Sequence, residues 1–263
     1  FGDLATVVRE PVAGVLLDTG VSSPQLDDNS RGFSFRSKKD GPLDLRMNPT
    51  IGMPASEWLK TASVSQLAWV INVCGHSLEP LLSERVAEAI LQRQREVGEY
   101  TSTHKLSAVL SEIEEEFKGE HPHLSLSQIV FCALRVFLNQ EMDQLERAME
   151  GAFQWLEVGG RCVVLTFNKW EVGALRRFVR HHEEPLGAVK DVTPGRLAEL
   201  YPLLSSSKSY AVRRIGVAAA PSPEELLVNP RARVALLHVL EKVDRRSPVS
   251  CALGRGSAAG RFQ

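Results

Sequence analysis

An apolar strand that ends in a carboxylate is the feature that most constrains the fold. Residues 12–17 form an apolar run, Asp18 closes it, and a Gly-Val-Ser-Ser turn follows at residues 20–23. Open α/β sheets bind their ligands beyond the carboxyl ends of strands. We therefore expect ligand chemistry directly after Leu17. An aspartate at this place can also form a turn or cap a helix, and these residues alone leave both interpretations open.

A long polar loop follows this strand. It carries Arg31, Phe33, Phe35 and Arg46, but it shows no apolar periodicity that would bury the aromatic rings. Such a loop is either disordered or held by contacts at a functional site. We favour the functional site.

The rest of the chain alternates between helical and strand patterns. Residues 55–119 show helical periodicity in three or four stretches, and residues 127–156 indicate one long helix that ends at Gly159 and Gly160. Runs typical of strands follow at residues 161–167, 210–217 and 234–243. The pattern predicts an α/β sheet with a helical insertion.

Composition excludes several classes of protein. The chain has 263 residues and a formal net charge of −1, so it is not a generally basic nucleic-acid binder. Basic side chains cluster locally at residues 31–39, 176–182 and 231–246, and each cluster is either a solvated face or an RNA contact. No apolar run reaches the roughly twenty residues of a membrane span. Neither the cysteines nor the paired histidines have metal-site spacing, so we expect no metal and no membrane partner.

Four further motifs follow the strand and its loop. They are Ala-Ser-Glu-Trp-Leu at residues 55–59, Phe-Cys-Ala-Leu-Arg-Val-Phe-Leu-Asn at 131–139 with Glu141, Gly-Gly-Arg-Cys-Val-Val at 159–164, and Asn-Pro-Arg-Ala-Arg at 229–233. Together with residues 15–47, this set resembles the MraW/RsmH family of S-adenosylmethionine-dependent small-subunit rRNA methyltransferases. Members of that family methylate the exocyclic amine of a cytosine. The resemblance covers most of the chain.

The resemblance implies an α/β fold with a Rossmann-like class I methyltransferase sheet, whose N-terminal part is absent from this chain, and an inserted helical domain. It divides the chain into a first part of the methyltransferase core at residues 1–54, a helical domain at 55–125, a second part of the core at 126–246 and a flexible tail at 247–263.

The same resemblance implies S-adenosylmethionine as the cofactor. The family carries its glycine-rich motif and its acidic ribose contact upstream of the position where Phe1 stands. The cofactor-binding residues that the motif assigns to this chain are Phe1, Asp18 and Gln25. Phe1 could pack on the adenine, Asp18 could accept a hydrogen bond, and Gln25 could bond the polar edge. Taken singly, they could equally be a core phenylalanine, a turn aspartate and a surface glutamine.

Transfer of a methyl group to an amine requires hydrogen-bond acceptors that orient the nitrogen, and a surface on which the base can stack. The resemblance places this catalytic chemistry at Ser22, Ser23, Pro24, Asp44 and Asn168. It places contacts with the substrate RNA at Arg31, Phe33, Phe35 and Arg46. Alternatively, the two phenyl rings only pin the loop to the core.

One motif departs from the family. The family has Ser-Phe-His-Ser-Leu-Glu-Asp-Arg where residues 166–173 read Thr-Phe-Asn-Lys-Trp-Glu-Val-Gly, so Asn168 replaces a titratable histidine. This departure motivates an alternative: a catalytically inactive assembly factor bound to the maturing small ribosomal subunit. In either case the expected partners are small-subunit rRNA and the small subunit or its assembly intermediate. The divergence suggests an organellar member in the mitochondrial matrix, with the bacterial cytoplasm as the alternative.

Overall fold

The computed structural model describes residues 1–75, 78–182 and 210–244, so the predicted tail at 247–263 lies outside the described residues. Its sheet has the strand order β1-β2-β4-β3, with β1 parallel to β2 and with β4 antiparallel to both of its neighbours. This arrangement confirms the predicted α/β class. The strands of this part of the chain are β1 Val12–Asp18, β2 Leu156–Thr166, β3 Tyr210–Arg214 and β4 Leu236–Asp244.

Several helices begin at a serine whose side chain accepts a hydrogen bond from a free backbone amide. Ser63, for example, accepts a hydrogen bond from Gln66 N, and Ser102 accepts one from Lys105 N. The helical stretches predicted within 55–119 are confirmed as α3 to α6. In the described residues the helices are α1 Leu4–Val7, α2 Ser23–Asp27, α3 Ala55–Thr61, α4 Val64–Cys74, α5 Pro80–Val97, α6 Thr103–Phe117, α7 Leu126–Leu138, α8 Glu141–Trp155, α9 Lys169–His182 and α10 Pro223–Val228.

The prediction of one long helix over 127–156 is wrong. The chain breaks between α7 and α8 at Gln140, whose φ of 50° lies in the left-handed region that a right-handed helix cannot pass through. Gly159 and Gly160 do not end a helix either, because both lie inside β2. Gly159 has a φ of 83°, and a side chain at Gly160 would come within 3.0 Å of Ala13 O, so this glycine pair lets β2 approach β1 closely.

The described residues form two large apolar cores and a smaller cluster between α4 and α7. One large core joins α3 to α7 and also takes in the loop residues Phe33, Leu43 and Leu45. The other lies between the sheet and the helices α8 and α9, where Phe153 and Phe178 pack 5.1 Å apart. The loop before residue 54 and α7 therefore pack with the helical insertion, although the predicted division assigns both of them to the methyltransferase core. The division at residues 54 and 125 stays a prediction.

Candidate functional site

The carboxyl ends of the two parallel strands lie side by side. Asp18 at the end of β1 is paired in register with Leu165 in β2, and its carboxylate is exposed. Within the part of the chain that the structure describes, this carboxylate makes no side-chain hydrogen bond or ion pair. Thr19 is buried and donates its hydroxyl to Leu165 O at 2.8 Å, which ties the two strand ends together. Asp18 is therefore a solvent-facing acceptor on a fixed backbone.

The turn after β1 is a helix start built from predicted site residues. Ser22 is the N-cap of α2, and its backbone N and its hydroxyl lie 2.9 Å and 3.2 Å from Gln25 Oε1. This capping box fixes the Gln25 oxygen and leaves its amide N–H groups available as donors. Ser22, Ser23 and Pro24 are all exposed at this edge of the sheet. The predicted cofactor residues Asp18 and Gln25 thus stand on one short, ordered segment.

A second turn meets this edge where β2 ends. Glu171 is fully buried and accepts hydrogen bonds from Phe167 N at 2.5 Å and from Asn168 N at 3.0 Å, so it caps the start of α9. Asn168 Nδ2 also donates to Glu171, at 3.2 Å. A side chain added at Gly20, which has a φ of 85°, would come within 4.0 Å of Glu171 Oε1. The two turns are thus in direct proximity, and Glu171 positions Asn168.

Phe1, the third predicted cofactor residue, is carried by the segment before β1. Its neighbour Gly2 donates its N–H to Gln144 Oε1 at 3.1 Å, in the first turn of α8. The Phe1 side chain is 54% exposed. It is therefore a surface residue at the start of α8 rather than part of either core.

The long loop is held in place by its own polar side chains. Arg46 binds Asp44 through two hydrogen bonds, Nε to Oδ1 at 2.7 Å and a terminal nitrogen to Oδ2 at 2.9 Å. Arg31 donates to the backbone oxygens of Arg46 and Met47 at 3.0 Å and 2.7 Å. Of the two interpretations of this loop, the structure supports the one in which contacts hold it. Those contacts occupy Arg31, Asp44 and Arg46, three of the residues predicted to act on substrate.

The pairing also sets the chemistry of Asp44. Partial burial acts to raise the pKa of this carboxyl, but the hydrogen bonds from Arg46 outweigh the burial, so the pKa is lowered. A carboxylate with a lowered pKa is a weak proton acceptor. The geometry therefore favours a role for Asp44 in shaping the loop over the catalytic role that the resemblance implied.

Asn139 clamps the middle of this loop. Its Oδ1 accepts from Met47 N at 2.6 Å, and its Nδ2 donates to Leu45 O at 2.8 Å. Leu45 has a φ of 65°, which is unusual for a residue other than glycine, and its side chain is 1% exposed. A buried side chain and a bidentate amide thus hold the backbone in a conformation that it would not adopt alone.

The two loop phenylalanines are packed rather than free. Phe33 is 7% exposed and belongs to the helical core, and the Phe35 ring lies 5.0 Å from that of Phe131. Both nevertheless line a cavity of about 390 Å³ at the end of α2, whose rim carries the ion pair between Arg231 and Asp27. The structure therefore supports the alternative that the rings pin the loop, and it also places them in the wall of a pocket.

A buried ion pair lies behind this edge of the sheet. Arg135 in α7 donates to both carboxylate oxygens of Glu141, at 2.7 Å and 2.9 Å, and the two side chains are only 15% and 5% exposed. Burial raises the pKa of Glu141, and the adjacent guanidinium opposes that shift. Both groups also interact electrostatically with Glu171. The pair joins the end of α7 to the start of α8 and faces the carboxylate that holds Asn168.

Asn139, Glu141 and Glu171 are supporting residues that the sequence analysis did not assign to the site. A signal for Glu171 was present, because Asn168 and Glu171 have the spacing of an N-cap residue and its partner three positions later. Asn139 and Glu141 lie in a motif that carried the family resemblance. The role of Asn139 depends on contacts with residues some 90 positions away, such as the 2.6 Å bond from Met47 N, which spacing alone does not reveal. The partner of Glu141 is only six positions away, but it lies on the other side of the chain break at Gln140.

Asp40 anchors the loop to α6 and offers a test of how the loop is held. Its Oδ1 accepts from His104 N at 3.0 Å and from Gly41 N at 2.9 Å. Partial burial acts to raise the pKa of this carboxyl, but these bonds, with others from Ser102 and Thr103, outweigh it and lower the pKa to about 2. Because the pKa is lower in the folded chain, the ionised carboxylate stabilises the fold at pH values above about 4, which is the pKa in the unfolded chain. This stability is lost as the pH falls through about 2.

We expect Asp40→Ala to lower the free energy of unfolding by about 1 kcal/mol at neutral pH, as removal of a helix cap does. The difference from the parent chain should shrink as the pH falls from about 4 towards 2, because the parent carboxylate then becomes protonated. Urea unfolding at several pH values measures this. A difference that stays constant over the whole range would contradict a role for the ionised carboxylate.

The described residues contain no group of three or more histidine, cysteine, aspartate and glutamate side chains placed to hold a metal ion. Among the helices of the same residues, none combines the length and the apolar character needed to cross a bilayer.

Comparison with known proteins supports the resemblance. The family model described as the MraW methylase family matches residues 2–243. A protein named ribosomal RNA small subunit methyltransferase H from Cupriavidus metallidurans is 38% identical over 243 residues, which cover 91% of this chain and 70% of the relative. The proteins of the same name from Cupriavidus necator and Idiomarina loihiensis are each 37% identical; they cover 95% and 90% of this chain and are matched over 72% and 70% of their own lengths. The chain belongs to the MraW methylase family.

Proposed function

We propose that this chain is an S-adenosylmethionine-dependent methyltransferase that acts on the exocyclic amine of a cytosine in small-subunit rRNA. Relatives that share 37 to 38% of its residues are named small-subunit rRNA methyltransferases. The structural observation that carries the proposal is the exposed carboxylate of Asp18, which has no partner in the described chain and stands beside the ordered turn of residues 19–25. An aspartate with a purely structural role at a strand end would be expected to cap a helix or to form an ion pair.

The residues assigned to the cofactor have the chemistry that S-adenosylmethionine requires. Asp18 offers two free acceptor oxygens, Gln25 offers amide donors, and Phe1 offers an exposed ring. When bound, the cofactor supplies a methyl group that is electrophilic because it is attached to a sulfonium. The part played by this chain is to orient that group and to keep the acceptor amine in line with it.

Two acceptors near this edge are available to receive the amine. Among the exposed residues 22–24, the Ser22 hydroxyl is engaged by Gln25, whereas the Ser23 hydroxyl has no partner among the described residues. Asn168 uses its amide nitrogen on Glu171, which leaves its Oδ1 to accept a hydrogen bond. Neither group titrates near neutral pH, so they orient the amine and accept its hydrogen bonds, and solvent takes the released proton.

The cavity beside Phe33 and Phe35 is the proposed place for the base and its flanking RNA. At about 390 Å³ it falls within the range of small-ligand pockets. Arg36 stacks over the Phe35 ring at 5.4 Å and lines the same cavity, where it can meet a phosphate. Since α2 runs from the Ser22 turn to this cavity, one five-residue helix connects the two halves of the proposed site.

The proposed partner is small-subunit rRNA within the small subunit or its assembly intermediate. The relatives are bacterial, which supports the bacterial cytoplasm over the mitochondrial matrix as the place of action. The inactive assembly factor is less favoured, because those relatives are named as methyltransferases. It remains the alternative outcome of the experiment that tests the proposal.

That experiment incubates the full chain with methyl-labelled S-adenosylmethionine and purified small subunits, digests the rRNA and identifies the labelled nucleoside by mass spectrometry. We expect label in N4-methylcytidine. Large subunits from the same preparation are the control and should stay unlabelled. Saturable binding to small subunits without transfer of label would contradict methylation and would support the assembly factor.

A further inference from the structure

A second cavity lies away from the turns described above, between α9 and the sheet. It has a volume of about 190 Å³, and residues from α9, β3, β4 and the segment at 216–218 line it. Its floor is apolar, with Leu175, Val179 and Leu240, and its polar lining consists of the side chains of Arg176, Arg214 and His238. No carboxylate is among the lining residues, so the cavity is basic.

The register of the strands explains why these groups converge. Arg214 in β3 is paired with Leu240 in β4, and His238 lies two residues earlier on β4, so all three share the face that α9 covers. Arg213, the preceding residue in β3, points to the opposite face and pairs with Glu241 at 2.7 Å. Burial lowers the pKa of His238, and the positive charges of Arg214 and Arg176, which line the same cavity, lower it further.

Neither cavity arginine has an acidic partner in the described chain, although their neighbours do. Arg177, next to Arg176 in α9, binds Glu146 at 2.8 Å, and Arg213, next to Arg214, binds Glu241. Both side chains are exposed and line the same cavity, so an anion that entered it would meet two positive charges and no carboxylate. A planar guanidinium group is well suited to binding phosphate through two parallel hydrogen bonds.

The size and position of the cavity limit which anion it can bind. The volume exceeds the roughly 30 Å³ of one water but stays below the roughly 300 Å³ at which pockets for whole small ligands begin. His238 Nε2 lies 3.0 Å from the hydroxyl of Thr166, the last residue of β2 before the Asn168 turn. The cavity is therefore adjacent to the proposed site and fits one phosphate group.

We propose that Arg176 and Arg214 bind one phosphodiester of the RNA strand next to the one that carries the target base. This inference rests on the proposed function for its substrate class. It makes the two arginines RNA-positioning residues, since they touch the strand and not the reacting atoms. An inorganic phosphate would present the same chemistry, and the experiment separates the two sources.

The test measures the affinity of the full chain for a short, fluorescently labelled RNA by anisotropy. The variants Arg176→Gln, Arg214→Gln and their double variant are compared with Arg177→Gln and Arg213→Gln, which remove the same charge from the adjacent, paired positions.

We expect each cavity variant to bind about tenfold more weakly and the double variant at most about a hundredfold more weakly. The slope of log affinity against log salt should become shallower by about 0.7 in the double variant, the value for one lost phosphate contact in single-stranded RNA. The control variants should stay close to the parent chain.

Equal losses in the cavity and control variants would overturn the proposal, because they would show only unspecific attraction. If inorganic phosphate bound the parent chain and the double variant abolished that binding without changing RNA affinity, the site would serve a free anion and the proposal would also fall. In the methylation assay, the double variant should raise KM for RNA and keep kcat. If the parent chain transferred no methyl group, the proposed function would fail, whereas the RNA-binding comparison would still decide the phosphate site.

Discussion

Replacement of Glu141 with alanine is expected to lower the free energy of unfolding by about 3–5 kcal/mol. The substitution leaves the guanidinium of Arg135 buried without the two hydrogen bonds that it now donates at 2.7 Å and 2.9 Å. A buried charge without a partner loses its hydration and gains nothing in return. Equilibrium unfolding in urea, followed by circular dichroism, measures the loss.

A matched control distinguishes burial from the loss of an ion pair as such. Glu146 in α8 pairs with Arg177 at the surface, where the two side chains are about half exposed. We expect Glu146→Ala to cost less than about 1 kcal/mol, as exposed pairs do. The double variant Arg135→Met with Glu141→Leu should recover most of the stability lost in Glu141→Ala, since it removes both buried charges. A cost for Glu141→Ala as small as that for Glu146→Ala would contradict this account.

The second large effect is expected at Asp18. Asp18→Ala should weaken the binding of S-adenosylmethionine by about tenfold to a hundredfold, because a hydrogen bond to a charged group contributes roughly 1.5–3 kcal/mol. The fold should be unchanged, since the carboxylate is exposed and makes no side-chain contact in the described chain. Isothermal titration calorimetry of the cofactor measures the affinity, and thermal unfolding without the cofactor verifies the fold.

Asp143→Ala is the matched control, because Asp143 is an exposed carboxylate in the first turn of α8. It should leave cofactor affinity within twofold of the parent chain, because Asp143 lies outside the turn of residues 19–25 and its removal takes away a surface charge of the same kind. Asp18→Asn separates charge from hydrogen bonding, since the amide keeps one acceptor oxygen. Unchanged affinity in Asp18→Ala would remove this residue from the cofactor site.

The sequence predicted best what depends on local pattern. The apolar run before Asp18 became β1, and the family motifs placed the candidate cofactor residues Asp18 and Gln25 on one turn. It failed where partners are distant in sequence or where the backbone is unusual. The apolar periodicity continues through Gln140, so it gave no sign that the chain turns there with a φ of 50°. The sequence of the polar loop suggested that its charged side chains were available to bind a substrate, but Asp44 and Arg46 form an ion pair with each other.

The helix termination predicted at the glycine pair failed for a related reason. Glycine with positive φ ends helices and also forms bulges in strands, and only the neighbouring strand decides between these outcomes. Here Gly160 lies against Ala13 O in β1, so the glycine pair allows two strands to approach closely and does not end a helix. The organellar origin suggested by the Asn168 turn has no support among the compared relatives, all of which are bacterial.

The conformation of Leu45 has a consequence for the speed and cost of recognition. A loop that orders only on binding loses backbone entropy at that moment, by about 1–2 kcal/mol for each residue that becomes fixed. In this protein the loop is instead fixed during folding. Leu45 holds a left-handed backbone conformation, its side chain is buried, and Asn139 binds the loop backbone. RNA would therefore meet a rigid surface, and its binding should proceed by docking rather than by coupled ordering, with little change in the heat capacity beyond that of the surface it covers.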